Sequence, residues 1–162
     1  ISQSRGIETL FNAFEILAQE RSDVHLVLAG SCDKGLSLPQ NSRVHYLGML
    51  PPNMVPVVLS TLNIAVICNR ESAFGKYCFP QKFYEAVACG VPIVAAATGS
   101  MLELLKDRPE CLYEPDNVDN LVAVLRRQVT SAVALPLEVP TWSMLGKRLE
   151  DFFRTCVKAT HR

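Results

Sequence analysis

Apolar residues recur along this chain at two alternating spacings, and the alternation predicts helices between strands. From about Gly6 to Gln19, the residues Ile7, Leu10, Phe11, Phe14, Leu17 and Ala18 share one face at helical spacing. Val24 to Ala29 then reads as a strand closed by Gly30, and a polar loop runs through Asn41. A second strand, Val44 to Leu47, ends at Gly48; Pro51 and Pro52 open a helix carrying Met54, Val57, Val58 and Leu62. Ile64 to Cys68 is a third short strand, followed by a polar, aromatic loop from Asn69 to Cys78.

A helix is expected to start at Pro80, whose fixed φ suits a first helical position, and to stop at Gly90 and Pro92. Val91 to Ala97 has no polar alternation and is β-branched at Val91, Ile93 and Val94, which predicts a buried strand. Ser100 and Glu103 have capping-box spacing for a short helix. Cys111 to Tyr113 reads as a brief edge strand, and Asp116 as the cap of a helix with Val118, Leu121, Val122 and Leu125 inward. Ser131 to Pro140 is a loop. The segment 141–158 predicts a last amphipathic helix, with Trp142, Leu145, Leu149, Phe152, Phe153 and Cys156 on its apolar side.

Strands separated by helices at this interval imply a Rossmann-like α/β fold, a parallel sheet with helices on both faces and right-handed crossovers. One domain over residues 1–162 is expected, since the length suits a single core and nearly half of the residues are apolar. Ligands of such sheets collect beyond the carboxyl ends of the strands, which here means the loops Gly30–Asn41, Gly48–Pro52, Asn69–Phe79 and Ala97–Ser100.

Charge narrows the partners. Sixteen basic residues balance sixteen acidic ones, so no overall field favours nucleic acid. The six cysteines show no C-x-x-C spacing, and neither a metal nor a disulfide framework is expected; a reducing cytoplasm fits. No apolar run approaches the length of a membrane span. Within the Pro80 helix, Glu85 stands in the apolar run Phe83 to Cys89, where a carboxylate needs hydroxyls or cations as partners. Lys82, three residues earlier on the same face, is one candidate; it lies in the first helical turn, where the dipole disfavours a cation unless an anion is near. His25 and His45 lie in strands and read as structural, and His161 falls in the tail.

The order R-G-I-E-T-L at Arg5–Leu10, V-H-L-V-L-A-G at Val24–Gly30, V-H-Y-L-G at Val44–Gly48, F-P-Q-K-F-Y-E-A-V-A-C-G-V-P-I-V-A-A at Phe79–Ala96 and T-G-S-M-L-E at Thr98–Glu103 resembles a known family. It is similar to the C-terminal, nucleotide-sugar-binding half of the group 1 retaining glycosyltransferases of the GT-B fold. The resemblance implies transfer of a sugar from a UDP-, GDP- or ADP-sugar to an acceptor, with no other cofactor. It also implies that Glu85 accepts hydrogen bonds from the donor ribose. Gly99, Ser100 and Met101 take the place of a glycine-rich turn facing the donor phosphates or sugar, and Arg5 that of a cation contacting the diphosphate. Met49 and Leu50, after Gly48, fall where the base rests.

Two departures accompany the resemblance. The family's second glutamate, eight residues before the ribose-binding one, is replaced by Tyr77; Glu71, followed by Phe74 and Gly75, is the candidate substitute, either reaching the sugar from a longer loop or solvated. Phe74, Gly75 and Lys76 could set backbone N–H groups and an ammonium beside phosphate. The first strand of this half and the N-terminal acceptor domain are missing, so the chain alone is expected to lack transferase activity. The final helix admits two readings, contact with an anionic membrane surface at its inner face, or packing on this domain and partly on the missing half. The competing class is a non-catalytic nucleotide-binding or protein-interaction module on the same fold, which Tyr77 favours; a sugar-nucleotide epimerase fits the pattern less well.

Overall fold

The computed structural model describes residues 1–160, so His161 lies outside the described residues. After a single 3-10 turn, Gln3–Arg5, helix α1 (Ile7–Glu20) leads into β1 (Leu26–Leu28) and β2 (Val44–Tyr46). A 3-10 turn and α2 (Val55–Thr61) precede β3 (Ala65–Ile67), α3 (Ala73–Tyr77) and α4 (Gln81–Ala88). β4 (Ile93–Ala96), α5 (Ser100–Leu104), β5 (Leu112–Tyr113), α6 (Val118–Ser131) and α7 (Trp142–Thr160) complete the order.

Every strand pair is parallel, as the apolar runs and intervening helices predict. β1 pairs with β2, Val27 opposite His45, while β3 pairs with β4 and β4 with β5, Val66 opposite Val94 and Ala96 opposite Tyr113. The strands therefore form two sheets, ordered β1-β2 and β3-β4-β5. One hydrophobic core underlies both: Phe11, Phe14 and Leu17 of α1 and Leu121 and Leu125 of α6 pack with Leu26 and Leu28 of β1, Val94 and Ala96 of β4, and Tyr113 of β5. A second core joins Phe83, Ala86 and Val87 of α4 to Ala65, Ile93 and Ala95 on the other face of the three-stranded sheet. That layer does not extend over β1 and β2, where His25 and His45 are exposed and stack on each other at 5.1 Å between ring centroids.

Several boundaries differ from the expectation, each for a local reason. Pro80 is the boundary residue rather than the first helical one: its ψ of 60° is not helical, and the helix begins at Gln81. Asn117, not Asp116, caps α6, its side chain accepting from the Asn120 N–H at 2.9 Å, because Asp116 is in the left-handed region (φ 59°) beside Arg70. The Ser100–Glu103 capping box does not form. Gly99 takes the boundary, Ser100 is already helical, and Glu103 pairs with Lys106 at 2.7 Å. Packing of the last helix on this domain is also overturned: side chains from Trp142 to Val157 are all exposed, Trp142 at 88%. No described helix is long and apolar enough to cross a membrane.

Candidate functional site

β3, β4 and β5 deliver three loops to one edge, and glycine decides how closely the first two approach. Beyond β3, Ser72 caps α3 by accepting from the Gly75 N–H at 3.0 Å, an Ncap role suited to its short hydroxyl. This turns the segment expected to be plain loop into a short helix folded back over Arg70. A Cβ at Gly75 would lie 2.1 Å from the Arg70 carbonyl oxygen, so no larger residue fits without moving backbone. Beyond β4, a Cβ at Gly99 (φ +55°) would meet the carbonyl oxygens of Gly75 and Lys76 at 2.6 and 2.7 Å. The two glycine turns therefore abut, backbone on backbone.

A cavity of about 420 Å³ opens beside this contact, lined by Glu71, Ser72, Lys76, Ala97, Thr98, Gly99 and Leu102. Glu71 and Lys76, from the loop and short helix after β3, are thus brought together with Gly99 from the turn after β4. Arg5 stands at the same edge, its guanidinium 4.0 Å from the Phe74 ring centroid and 3.7 Å from the Cys78 sulfur. No carboxylate lies within ion-pair distance of Arg5, Lys76 or Lys82 among the described residues, which leaves Arg5 and Lys76 at this edge for an anionic guest. Phe74 is half exposed, and the Tyr77 ring stands 5.6 Å from the Lys76 ammonium.

The other predicted residues lie elsewhere. Glu85 is half-buried on α4, outside the cavity, and accepts from the Gln81 side-chain amide at 2.8 Å. It is neither enclosed in a dry site nor paired with Lys82, because α4 turns Phe83, Ala86 and Val87 inward and leaves Glu85 at the margin of that face. Lys82 is exposed. Met101 is buried in the second core and its N–H bonds the Thr98 carbonyl at 3.2 Å, so within the Gly99–Met101 turn only the Gly99 and Ser100 N–H groups lack a partner among the described residues. Met49 (73% exposed) and Leu50 follow β2 and line no part of the cavity.

The site also contains residues that sequence reasoning missed. Arg70 donates to the Gln3 carbonyl at 2.9 Å and to Glu8 at 3.2 Å, and lies 3.7 Å from Asp116, tying the start of α1 to the loops after β3 and β5. Asn69 is buried; its Nδ2 donates to the Gly75 carbonyl at 3.2 Å, while its Oδ1 has no partner. The signal for both is their place, directly after an apolar strand that enters a site loop. At the end of β3, burial pushes the Cys68 thiol up to about 11, the Tyr113 hydroxyl and the Lys82 charge opposing; burial first, and then Cys68, raises the Tyr113 hydroxyl in turn. No group of three or more His, Cys, Asp and Glu side chains that could hold a metal stands together among the described residues.

A parallel sheet covered by helices, with two abutting glycine turns at its carboxyl edge, is the α/β architecture of one half of a GT-B glycosyltransferase, and the comparisons agree on that fold. Residues 1–131 match the family described as Glycosyl transferases group 1, and the chain belongs to that family. An uncharacterized glycosyltransferase of Methanocaldococcus jannaschii is 26% identical over 129 residues, 75% of this chain and 32% of that protein. HepE of Anabaena, solved in complex with UDP-glucose, aligns with a TM-score of 0.64 at 22% identity, over 80% of this chain and 36% of its own. Sucrose-phosphate synthase from Thermosynechococcus elongatus aligns with a TM-score of 0.74, also at 22% identity, over 98% of this chain and 44% of its own. The chain thus spans about a third of the curated relative and less than half of either structure.

Proposed function

We propose that this domain holds the donor of a retaining sugar transfer, a nucleoside-diphosphate sugar, and that the complete protein adds an N-terminal domain carrying the acceptor. The observation that carries the reading is the cavity at the abutting glycine turns, with Lys76 in its wall and Arg5 at the same edge, both without carboxylate partners. A diphosphate placed there would take charge-assisted bonds from Arg5 and Lys76 and neutral ones from the Gly99 and Ser100 N–H groups. In the transfer, the bond from the anomeric carbon to the diphosphate oxygen breaks and its electron pair leaves with the diphosphate. Those same cations stabilise that developing charge.

In this reading Glu71 faces the sugar hydroxyls from the cavity wall, and Glu85, with its second oxygen open, accepts from the ribose. Lys82 adds charge near the edge of the sheet, and Met49 and Leu50 flank the base. The complex of HepE with UDP-glucose favours a UDP-sugar over GDP- and ADP-sugars. A cytoplasmic setting fits such donors, with the exposed apolar side of α7 available to the acceptor domain or to a membrane's inner face.

Calorimetric titration with UDP-, GDP- and ADP-glucose tests the assignment. One base should bind measurably better than the others, and Arg5→Met with Lys76→Met should weaken it about 10- to 100-fold with a shallower salt dependence. Binding of none by the complete protein, or variants as tight as the parent, would sink it. The non-catalytic reading rests on Tyr77, 78% exposed where the resemblance expects an acid. It is favoured if donor binds tightly while the complete protein releases no nucleoside diphosphate.

A further inference from the structure

Arg5 rides on a 3-10 turn that buries none of its own residues, so its neighbours decide where the guanidinium points. Two carboxylates stand close by. Glu8 is in the first turn of α1, and Asp116 Oδ1 would lie 3.1 Å from a Cβ at Gly6. Arg5 is the residue before Gly6, its Cα about 3.8 Å from the Gly6 Cα, and an arginine side chain is long enough to reach an acid so placed. Yet the Arg5 guanidinium goes instead to the Phe74 ring and the Cys78 sulfur, at the edge of the cavity.

Arg70 accounts for the difference. Its Nε donates to the Gln3 carbonyl at 2.9 Å and lies 3.7 Å from Asp116 Oδ1, while a terminal nitrogen donates to Glu8 Oε2 at 3.2 Å. One guanidinium thus spans both carboxylates and the backbone of the turn that carries Arg5. That span needs a planar fork of donors, which a lysine ammonium does not offer. The Arg70 stem also fills the space beside Gly6, where an added Cβ would meet Arg70 Cγ at 3.1 Å. The side chains of Arg70, Glu8 and Asp116 are 41, 35 and 47% exposed, and ion pairs this open contribute little to stability. Their consequence is the placement of charge: with Arg70 on them, neither carboxylate competes for Arg5.

We infer that Arg70 is a positioning residue for the diphosphate site, which acts by occupying Glu8 and Asp116 and pinning the Gln3 carbonyl. The Arg5 guanidinium is thereby kept free, over the Phe74 ring, for an anionic group in the cavity. Without Arg70, Arg5 pairs with the bared carboxylates and leaves that edge. What Arg5 is kept free to bind rests on the donor reading; that it is kept free does not.

The test follows Arg5 in the complete protein, first without ligand and then with UDP. By NMR of arginine-labelled protein, the Arg5 Hδ protons should resonate upfield of ordinary arginines because of the Phe74 ring. Arg70→Met should abolish that shift, and adding Glu8→Gln and Asp116→Asn should bring it back; asparagine tolerates the positive φ of Asp116. In calorimetry, Arg70→Met should weaken UDP about 10-fold, and the same two neutralising substitutions should restore most of the affinity. In an Arg5→Met background, Arg70→Met should change nothing. A role confined to folding would weaken UDP with or without Arg5, and whether or not the two acids are charged. Should Arg70→Met fail to fold, Arg70→Lys takes its place, with a loss in the same direction and the same restoration. An Arg5 signal indifferent to Arg70, or a loss that the neutralising substitutions do not repair, overturns the inference. An Arg5 signal that responds as stated in a protein that binds no UDP supports it and counts against the donor reading alone.

Discussion

At the scale of single residues, the site is shaped more by what glycines leave out than by what charged side chains supply. Gly75 and Gly90 separate the two uses of that residue. Gly75 is surrounded, with the Arg70 carbonyl where a Cβ would go, whereas Gly90 has φ +71° but no neighbour within 4 Å of an added Cβ. Gly75→Ala should therefore cost about 3 kcal/mol by forcing backbone apart, and Gly90→Ala about 1 kcal/mol from the left-handed conformation alone. Urea denaturation measures both; equal costs would mean that α3 does not pack on Arg70. The candidate site residues were legible in part at this scale. Gly99, Arg5, Glu71 and Lys76 could be named from motif order, but not the half-exposed setting of Glu85, because burial of a helical carboxylate depends on how the whole helix is rotated.

At the scale of elements, α7 is the one whose sequence promised more than its packing delivers. Its spacing gives an amphipathic helix, and the structure has that helix, yet the residues of its apolar side are classed as exposed throughout. Apolar area that stays in water contributes nothing to stability. Ending the chain after Thr141 should shift the thermal midpoint by no more than about 2 °C. A fall above about 5 °C by differential scanning calorimetry would show that α7 packs on the domain in solution. The short helix α3 is the opposite case: the polar segment from Asn69 to Cys78 has no apolar periodicity, and the helix exists because Ser72 caps it and Asn69 holds its Gly75 carbonyl.

At the scale of the whole molecule, the half-buried thiol just after β3 sets an alkaline limit. Burial holds the Cys68 proton until about 11 in the fold, against 9.0 for an ordinary thiol. Below 9.0 both states keep the proton and the contribution is complete. Above it the unfolded chain ionises first, and stability falls until the folded thiol ionises too. The loss across that window is about 3 kcal/mol. Urea unfolding at pH 8, 9.5 and 11 should show the decline, and Cys68→Ala should lessen it, burial of the Tyr113 hydroxyl supplying a further fall above pH 10; an unaltered slope would mean that this thiol is solvated.

The sequence by itself determined the order of helices and parallel strands apart from α3, since each of the others follows from the period at which apolar residues recur and from proline and glycine at the ends. It also determined the family, because R-G, P-x-K-x-x-E and T-G-S stand in one order along the chain. Only the tertiary structure decided which of those residues meet. Glu71, Lys76 and Gly99 share a cavity because two glycines let carbonyl oxygens approach within the space of a methyl group. The division into two sheets was likewise decided in three dimensions, because the bonding side of a residue such as Val27 depends on which neighbour its strand has found.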